Sequence, residues 1–166
     1  MIFFNSHEFW GYIAKTCKNK SPRKIYISTY NIRTGISNYN CKRTGKPIFG
    51  KPKGLNNNQM VIDYCDMLSY ARSGSSCIII GEDTMYNREK NRIKDVWPDA
   101  KIYYKSKHHT KAVILCFKNS IEAWAGSMNF NDSEWSDVMV KLSVKNDIEK
   151  LIKKFIEWRK LSQRLQ

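Results

Sequence analysis

The chain is organised around residues 109–129, which open with His109-Thr110-Lys111-Ala112-Val113-Ile114-Leu115-Cys116 and close with Gly126-Ser127-Met128-Asn129. The apolar, β-branched run after Lys111 predicts a strand, residues 118–120 predict a turn, and residues 121–125 predict the returning strand. Because side chains alternate along a strand, His109 and Lys111 point to the same side. The predicted hairpin therefore brings His109, Lys111, Ser127 and Asn129 into one neighbourhood, beside a glycine where backbone can approach a ligand closely.

These four side chains suit a phosphate group. An imidazole is a nucleophile or a proton carrier near neutral pH, and an ammonium neutralises a phosphoryl oxygen. An amide and a hydroxyl supply further donors to the charge that develops in a transition state. We find no other stretch of the sequence that offers such a set, so residues 109–129 are the candidate catalytic centre.

With these residues the sequence resembles the phospholipase D superfamily, whose motif reads H-x-K, usually followed by an aspartate, and then G-S-x-N. The motif stands here as His109-x-Lys111 and Gly126-Ser127-x-Asn129, and Asp137 matches the acidic residue that many members carry before a closing strand. The chain departs from the pattern in two ways: Cys116 occupies the position of the usual aspartate, and the hairpin is longer. Both departures resemble the nuclease and restriction-endonuclease-like members more than the phospholipid-processing ones.

The resemblance implies a phospholipase D-like fold and a metal-independent phosphodiesterase that works without a cofactor. It implies that His109 attacks a phosphodiester phosphorus to give a phosphohistidine, and that Lys111 and Asn129 hold the non-bridging oxygens with help from Ser127. It also implies that Asp137 accepts the ring hydrogen of the imidazole and fixes its tautomer.

The mechanism that the resemblance implies needs a second histidine, which protonates the leaving oxygen and then activates water. The chain holds a single copy of the motif, so we expect a homodimer in which His109 of each subunit lines one shared active site. If the protein is active as a monomer, His108 is the first alternative acid.

Positive charge dominates the chain, and one long stretch of it contains no acidic residue at all. The sequence has 29 Lys and Arg residues against 15 Asp and Glu, a net charge of +14, and no acidic residue occurs from Phe9 through Ile62. Such a one-signed face favours a polyanionic partner, and we expect nucleic acid, with DNA ahead of RNA. A lysine-rich compositional bias is the alternative explanation, although it would not by itself keep acids out of so long a stretch.

Residues 33–58 are the least regular stretch, because four glycines and two prolines interrupt any long element. We interpret this stretch as a basic insertion with room for a small hairpin. A loop of this length in a compact domain is usually functional or disordered. The functional version is a flap that grips a nucleic-acid backbone and stacks a base on Tyr39 or Phe49. The contacts that we predict for it are Arg33, Lys42, Arg43, Lys46, Lys51, Lys53 and Tyr39. A solvated, mobile insertion is the alternative.

The other segments alternate between helical and strand patterns. Apolar spacing predicts helices over residues 6–18, 59–72 and 87–96, and Asn146 is interpreted as the cap of a terminal helix. Residues 24–32 and 101–104 predict strands, and the apolar run 77–81 predicts a strand buried on both faces. Together these elements predict an α/β fold, a mixed β-sheet sandwiched between helices, in one domain spanning residues 1–166.

The sequence lacks the usual signals of metal sites and of membranes. Its five cysteines include no C-x-x-C pair and predict neither a zinc site nor a disulfide framework. No apolar run reaches membrane-spanning length, and the first residues lack the pattern of a secretory signal. We therefore expect a soluble, cytoplasmic protein without a membrane partner. Its size and its richness in lysine and asparagine would suit a phage or mobile-element product.

Two other functions stay open at this point. The same catalytic residues could serve a phosphatidyl transferase or lipase, although the sequence has no membrane segment and no amphipathic insertion helix. The protein could also bind nucleic acid without cleaving it, with Cys116 as a sign of a decayed site. The joint presence of five motif residues argues against decay: His109, Lys111, Ser127, Asn129 and Asp137.

Overall fold

The computed structural model describes residues 1–4, 6–32, 39–40, 47–48, 67–70, 75–130 and 137–166. Within these ranges the chain forms three α-helices: α1 (Ser6–Lys20), α2 (Thr84–Val96) and α3 (Lys145–Lys160). The longer strands are β2 (Lys24–Thr29), β5 (Ser76–Ile80), β6 (Lys101–Tyr104), β7 (Lys111–Cys116) and β8 (Ile121–Gly126). The shorter ones are β1 (Ile2–Phe3), β3 (Tyr39–Asn40), β4 (Pro47–Ile48), β9 (Met139–Lys141) and β10 (Gln163–Arg164).

Eight of these strands form one mixed sheet in the order β1-β9-β8-β7-β2-β5-β6-β10. The strand β2 lies inside the sheet, where it pairs in parallel with β5 and antiparallel with β7. In the register, Ile27 lies opposite Ile78 on one side and opposite Val113 on the other. The predicted hairpin is confirmed as β7 and β8, which pair Lys111 with Gly126.

The two faces of the sheet carry separate apolar clusters, because successive residues of a strand point to opposite sides. Ile27 and Val113 belong to the cluster that includes Trp10 of α1. Ile114, on the other face, belongs to the cluster around Phe155 of α3. Helices therefore cover both faces, and the predicted α/β architecture with a mixed sheet is confirmed.

The helices bury the stripes that their spacing predicts. Along α1, Phe9, Ile13 and Cys17 recur every four residues and are all buried, while the lysines of its last turn are exposed. The prediction that Asn146 caps the terminal helix is wrong: Val144 is the N-cap residue of α3, in an extended conformation, and Asn146 lies inside the first turn.

Other element boundaries move by a few residues. The strand predicted over 101–104 is confirmed as β6, and the helix predicted over 87–96 begins earlier, at Thr84. The strand predicted over 24–32 ends at Thr29, after which Ile32 forms an isolated bridge with Phe130. Most of the helix predicted over 59–72 lies outside the described residues, and within it Met67–Tyr70 is a 3-10 helix.

The predicted small hairpin within residues 33–58 corresponds to β3 and β4, which pair Tyr39 with Ile48. None of the helices in the described ranges is long and apolar enough to cross a membrane.

Candidate active site

The candidate site lies at one end of the sheet, where β7 begins, β8 ends and β9 begins. Lys111 is the first residue of β7 and pairs with Gly126, the last residue of β8. Gly126 pairs in turn with Met139, the first residue of β9. This register brings His109, Ser127 and Asp137, which extend just beyond the strands, to the same end of the sheet. The grouping that the sequence predicts is thus present in the fold.

His109 and Lys111 form the centre of the site. The Nζ atom of Lys111 lies 2.9 Å from Nδ1 and 3.0 Å from Nε2 of His109, and it donates to the His109 carbonyl oxygen at 2.8 Å. Lys111 is only 4% exposed, whereas the side chain of His109 is exposed. Burial lowers the pKa of Lys111, and the nearby charge of Asp137 opposes part of that shift. The exposed imidazole of His109 is therefore in contact with the buried amine of Lys111.

Asn129 is held from two sides. Its side-chain Oδ1 accepts a hydrogen bond from the backbone N–H of Tyr30 at 3.0 Å and lies 3.2 Å from the hydroxyl of Thr29. The indole N–H of Trp10 donates to the Asn129 carbonyl oxygen at 2.9 Å. Because Oδ1 is used as an acceptor, the side-chain NH₂ group is the part of Asn129 that can donate to an anion.

Ser127 and Asp137 are bonded to each other. The Ser127 hydroxyl donates to Asp137 Oδ1 at 2.8 Å and accepts from the Val138 N–H at 2.9 Å. These bonds depend on the close approach of the backbone at Gly126 to the backbone at Val138. A Cβ atom on Gly126 would lie 1.9 Å from the Val138 backbone oxygen, so only glycine fits there. Among the described residues the hydrogen-bond partner of Asp137 is Ser127, so its role as the residue that orients the imidazole stays a prediction.

His108 points away from the site. It is 3% exposed, its ring packs 5.0 Å from the ring of Trp158 in α3, and its Nε2 lies 2.6 Å from the Ser28 hydroxyl. That hydroxyl donates to the Thr110 carbonyl oxygen, so His108 Nε2–H is the donor in their bond. Burial, reinforced by nearby positive charges, lowers the pKa of His108 to about 4. A neutral ring enclosed against α3 is poorly placed to act as the alternative acid.

Tyr30 is a residue at the site that the sequence pattern did not single out. It follows directly after β2, and its ring centroid lies 5.0 Å from that of His109 and 5.6 Å from Lys111 Nζ. The signal in the sequence was its position at the carboxyl end of an internal strand, where ligands of α/β sheets commonly bind.

Cys116 lies at the far end of the hairpin from the candidate site. It is the last residue of β7 and pairs with Ile121, whereas Lys111 is the first. Five residues of extended strand separate the two by about 17 Å. The cysteine that replaces the usual aspartate of the motif is therefore remote from His109, and burial raises the pKa of its thiol.

The predicted nucleic-acid contacts Arg33, Lys42, Arg43, Lys46, Lys51 and Lys53 lie outside the described residues. The backbone of Tyr39 belongs to β3. Within the described part of the chain, no group of three or more His, Cys, Asp or Glu side chains is arranged to hold a metal ion.

No protein-family model matches this sequence, and no curated protein matches it either. Solved structures share its fold. NucT from Helicobacter pylori has a TM-score of 0.61 at 13% identity, and the match covers 99% of this chain and 98% of that one. Nuc from Salmonella typhimurium, a phospholipase D family member, has a TM-score of 0.54 at 12% identity over 93% of this chain and 89% of Nuc.

A third similar structure is TrmBL2, an archaeal chromatin protein described as having a novel mode of DNA binding. Its TM-score is 0.54 at 11% identity, and the match covers 99% of this chain and 54% of TrmBL2. At sequence identities this low, the three comparisons show a similarity of fold and nothing about function. The eight-stranded mixed sheet with helices on both faces is accordingly a phospholipase D-like fold.

Proposed function

We propose that this protein is a phosphodiesterase of the phospholipase D superfamily that cleaves nucleic acid internally, with DNA as the preferred substrate. The observation that carries the proposal is the exposed imidazole of His109 in contact with the buried amine of Lys111, at the strand ends of a phospholipase D-like fold. The H-x-K and G-S-x-N residues around it supply a nucleophile, a cation and neutral donors in one place.

In the proposed reaction a ring nitrogen of His109 attacks the phosphorus of a phosphodiester. A P–N bond forms, one P–O bond breaks, and the leaving oxygen takes a proton from His109 of a second copy of the chain. That second imidazole then removes a proton from water. The resulting hydroxide displaces His109 from phosphorus, leaving a phosphate monoester and the free enzyme.

Lys111 and Asn129 hold the non-bridging oxygens in this proposal. Burial lowers the pKa of Lys111, so a dianionic transition state beside it would favour its charged form and be stabilised strongly in return. The Asn129 NH₂ group is a second donor, since its Oδ1 is fixed by the Tyr30 N–H. In this scheme Lys111 from each subunit supplies the positive charge that a metal ion supplies in other phosphodiesterases.

Nucleic acid is the proposed substrate because of charge. A net charge of +14 and an acid-free stretch from Phe9 through Ile62 favour a polyanion of many phosphates over a single lipid headgroup. In the proposal Arg33, Lys42, Arg43, Lys46, Lys51 and Lys53 contact the backbone of the nucleic acid. The DNA binding described for TrmBL2, a protein of similar fold, is consistent with this choice.

The proposal predicts that purified protein cleaves labelled oligonucleotides in excess chelator, because its charge stabilisation comes from lysine. His109→Ala should abolish cleavage while leaving oligonucleotide binding nearly intact, and Lys111→Met should lower kcat by about 100-fold or more. Lys118→Met, at the exposed far turn of the hairpin, is the matched control and should cleave like the wild type.

A covalent intermediate gives the second readout. With an oligonucleotide labelled in its backbone phosphates, quenching at alkaline pH should trap label on the wild-type protein and none on His109→Ala. Cleavage that disappears with chelator and returns with Mg²⁺ would overturn the phosphohistidine mechanism. Turnover of phosphatidylcholine vesicles in place of oligonucleotides would identify a lipid enzyme.

A further inference from the structure

We propose that Tyr30 is a stacking platform for the nucleobase next to the scissile phosphate, and that the site therefore takes an unpaired strand of nucleic acid. The inference rests on the proposed function and deepens it, because it adds a base-binding subsite to a centre that otherwise contacts phosphate alone.

The first observation is the exposure of Tyr30 beside the candidate nucleophile. Its side chain is 36% exposed, whereas Trp10 and Phe130, which pack behind the neighbouring Asn129, are at most 2% exposed. The ring centroid of Tyr30 lies 5.0 Å from the imidazole of His109. About a third of this aromatic residue is thus open to solvent at the candidate site, where a planar ligand can contact it.

The second observation is the rigidity of the backbone that carries this ring. The Tyr30 N–H donates to Asn129 Oδ1 at 3.0 Å, and its carbonyl oxygen accepts from the N–H groups of Gly81 and Glu82 at 2.9 and 2.8 Å. A Cβ atom on Gly81 would lie 3.1 Å from Cδ2 of Tyr30 and 1.6 Å from the His108 oxygen, so only glycine lets these segments meet. The backbone that carries the ring is therefore held in place before any ligand binds, which lowers the entropy cost of binding.

The third observation is the position of the ring relative to a bound phosphate. Lys111 Nζ lies 5.6 Å from the centre of the Tyr30 ring. In a nucleotide strand one sugar separates a phosphate from the base that flanks it, so a phosphate held by Lys111 and His109 leaves a flanking base within reach of Tyr30. A lipid phosphodiester offers no planar group at that distance.

Stacking on tyrosine selects for an accessible base more than for its identity, because every base has a π-face. Such contacts strengthen binding by about 5- to 150-fold per base. Bases inside a duplex are already stacked on both faces, so a base that reaches Tyr30 has to be unpaired or extruded. The subsite consequently favours single strands over duplexes.

Variants at Tyr30 and substrates with and without bases test the inference. The substrates are a thymidine oligonucleotide and an oligonucleotide of equal length made of abasic nucleotides; the proteins are wild type, Tyr30→Phe and Tyr30→Leu. Wild type should bind the thymidine strand at least 5-fold more tightly than the abasic strand. Tyr30→Leu should remove that difference by raising KM on the thymidine strand alone, and Tyr30→Phe should keep it.

Phe4→Leu is the matched control, since Phe4 is 71% exposed and lies beside β1 at the edge of the sheet, three strands from β7. It should leave both substrates unaffected. A uridine oligonucleotide run in parallel distinguishes RNA from DNA as the source of the stacked base.

Equal losses of kcat on both substrates in Tyr30→Leu would show that the ring orients His109 and would overturn the stacking role. Equal binding of the thymidine and abasic strands by wild type would overturn it as well, whether or not Tyr30→Leu folds. Cleavage that requires His109 but is unchanged by substitution of Tyr30 would overturn the stacking role and leave the proposed function intact. Absence of any cleavage would remove the proposed function.

Discussion

His108 and His109 are neighbours in the chain with opposite environments. His109 is exposed beside Lys111, whereas His108 lies on the α3 side of the sheet, bonded to Ser28 and packed on Trp158. The two side chains thus point to opposite sides of the sheet, as successive residues of an extended chain do. His109 is therefore available as a candidate nucleophile, while the ring of His108 anchors the same segment to the core.

Stability should therefore depend on His108 in mildly acidic solution. The unfolded chain takes up the proton near pH 6.5, while the folded chain resists it until about pH 4, so stability is lost as pH falls through that window. The full shift corresponds to a loss of about 3 kcal/mol. His108→Phe should flatten this dependence in denaturant titrations at pH 7 and pH 4.5, at a cost of about 1 kcal/mol at pH 7 for the lost Ser28 bond.

His109→Ala is the control for this titration, because it removes the adjacent exposed imidazole and should retain the acid sensitivity. The same slope in His108→Phe as in the wild type would show that other groups cause the loss of stability.

The strands β8 and β9 fix the geometry of the Ser127 side of the site. A Cβ atom at Gly126 would lie 1.9 Å from the Val138 backbone oxygen, which no side-chain rotation can relieve. Gly126→Ala should therefore cost at least about 2 kcal/mol of unfolding free energy and also displace the Ser127–Asp137 pair. Urea titration measures the first effect and kcat the second.

Ala125→Gly in the same strand serves as the comparison, because it adds no atom and should cost about 1 kcal/mol or less. If Gly126→Ala proved as stable as Ala125→Gly, the close packing of β8 on β9 would not constrain the site.

Sequence patterns predict the elements that are long enough to show a period. The hairpin of β7 and β8, the buried strand β5 and the helices α1 and α3 follow from their apolar spacing. The edge strands β1 and β10 have two residues each, too few for any alternation to be visible. A polar cap pattern cannot identify Val144 as the N-cap of α3, because this helix begins without a side-chain cap hydrogen bond.

The sequence predicts those residues of the site that belong to one local motif. His109, Lys111, Ser127 and Asn129 lie within one hairpin and its extension, so spacing alone brings them together. Tyr30 lies at the site because β2 pairs with β7. This pairing joins distant parts of the chain, and no local sequence pattern predicts it. The same holds for Ser28, whose bond to His108 also crosses from β2.

For the whole molecule, the number of candidate catalytic histidines predicts a homodimer with one shared active site. The single motif supplies one accessible imidazole, since His108 is enclosed by the core, and two-fold symmetry would supply the second. Mixed dimers of wild-type and His109→Ala subunits should then fall far below half of the wild-type activity. Sedimentation at assay concentration measures the oligomeric state, and a fully active monomer would contradict the shared centre.

The bond between Tyr30 and Asn129 joins residues 99 positions apart, so it cannot form until both residues have been synthesised. Translation adds about 5–20 residues per second, so roughly 5–20 s pass between the synthesis of these two residues. Before Asn129 is synthesised, the residue that follows β2 lacks the side-chain amide of Asn129 that accepts its N–H. Before residues 111–116 are synthesised, β2 also lacks its neighbour β7. A nascent chain thus carries the acid-free stretch from Phe9 through Ile62 before the residues of the candidate site can meet. Because such long-range contacts also slow folding, we expect the candidate site to assemble late, after the local turns of the helices have formed.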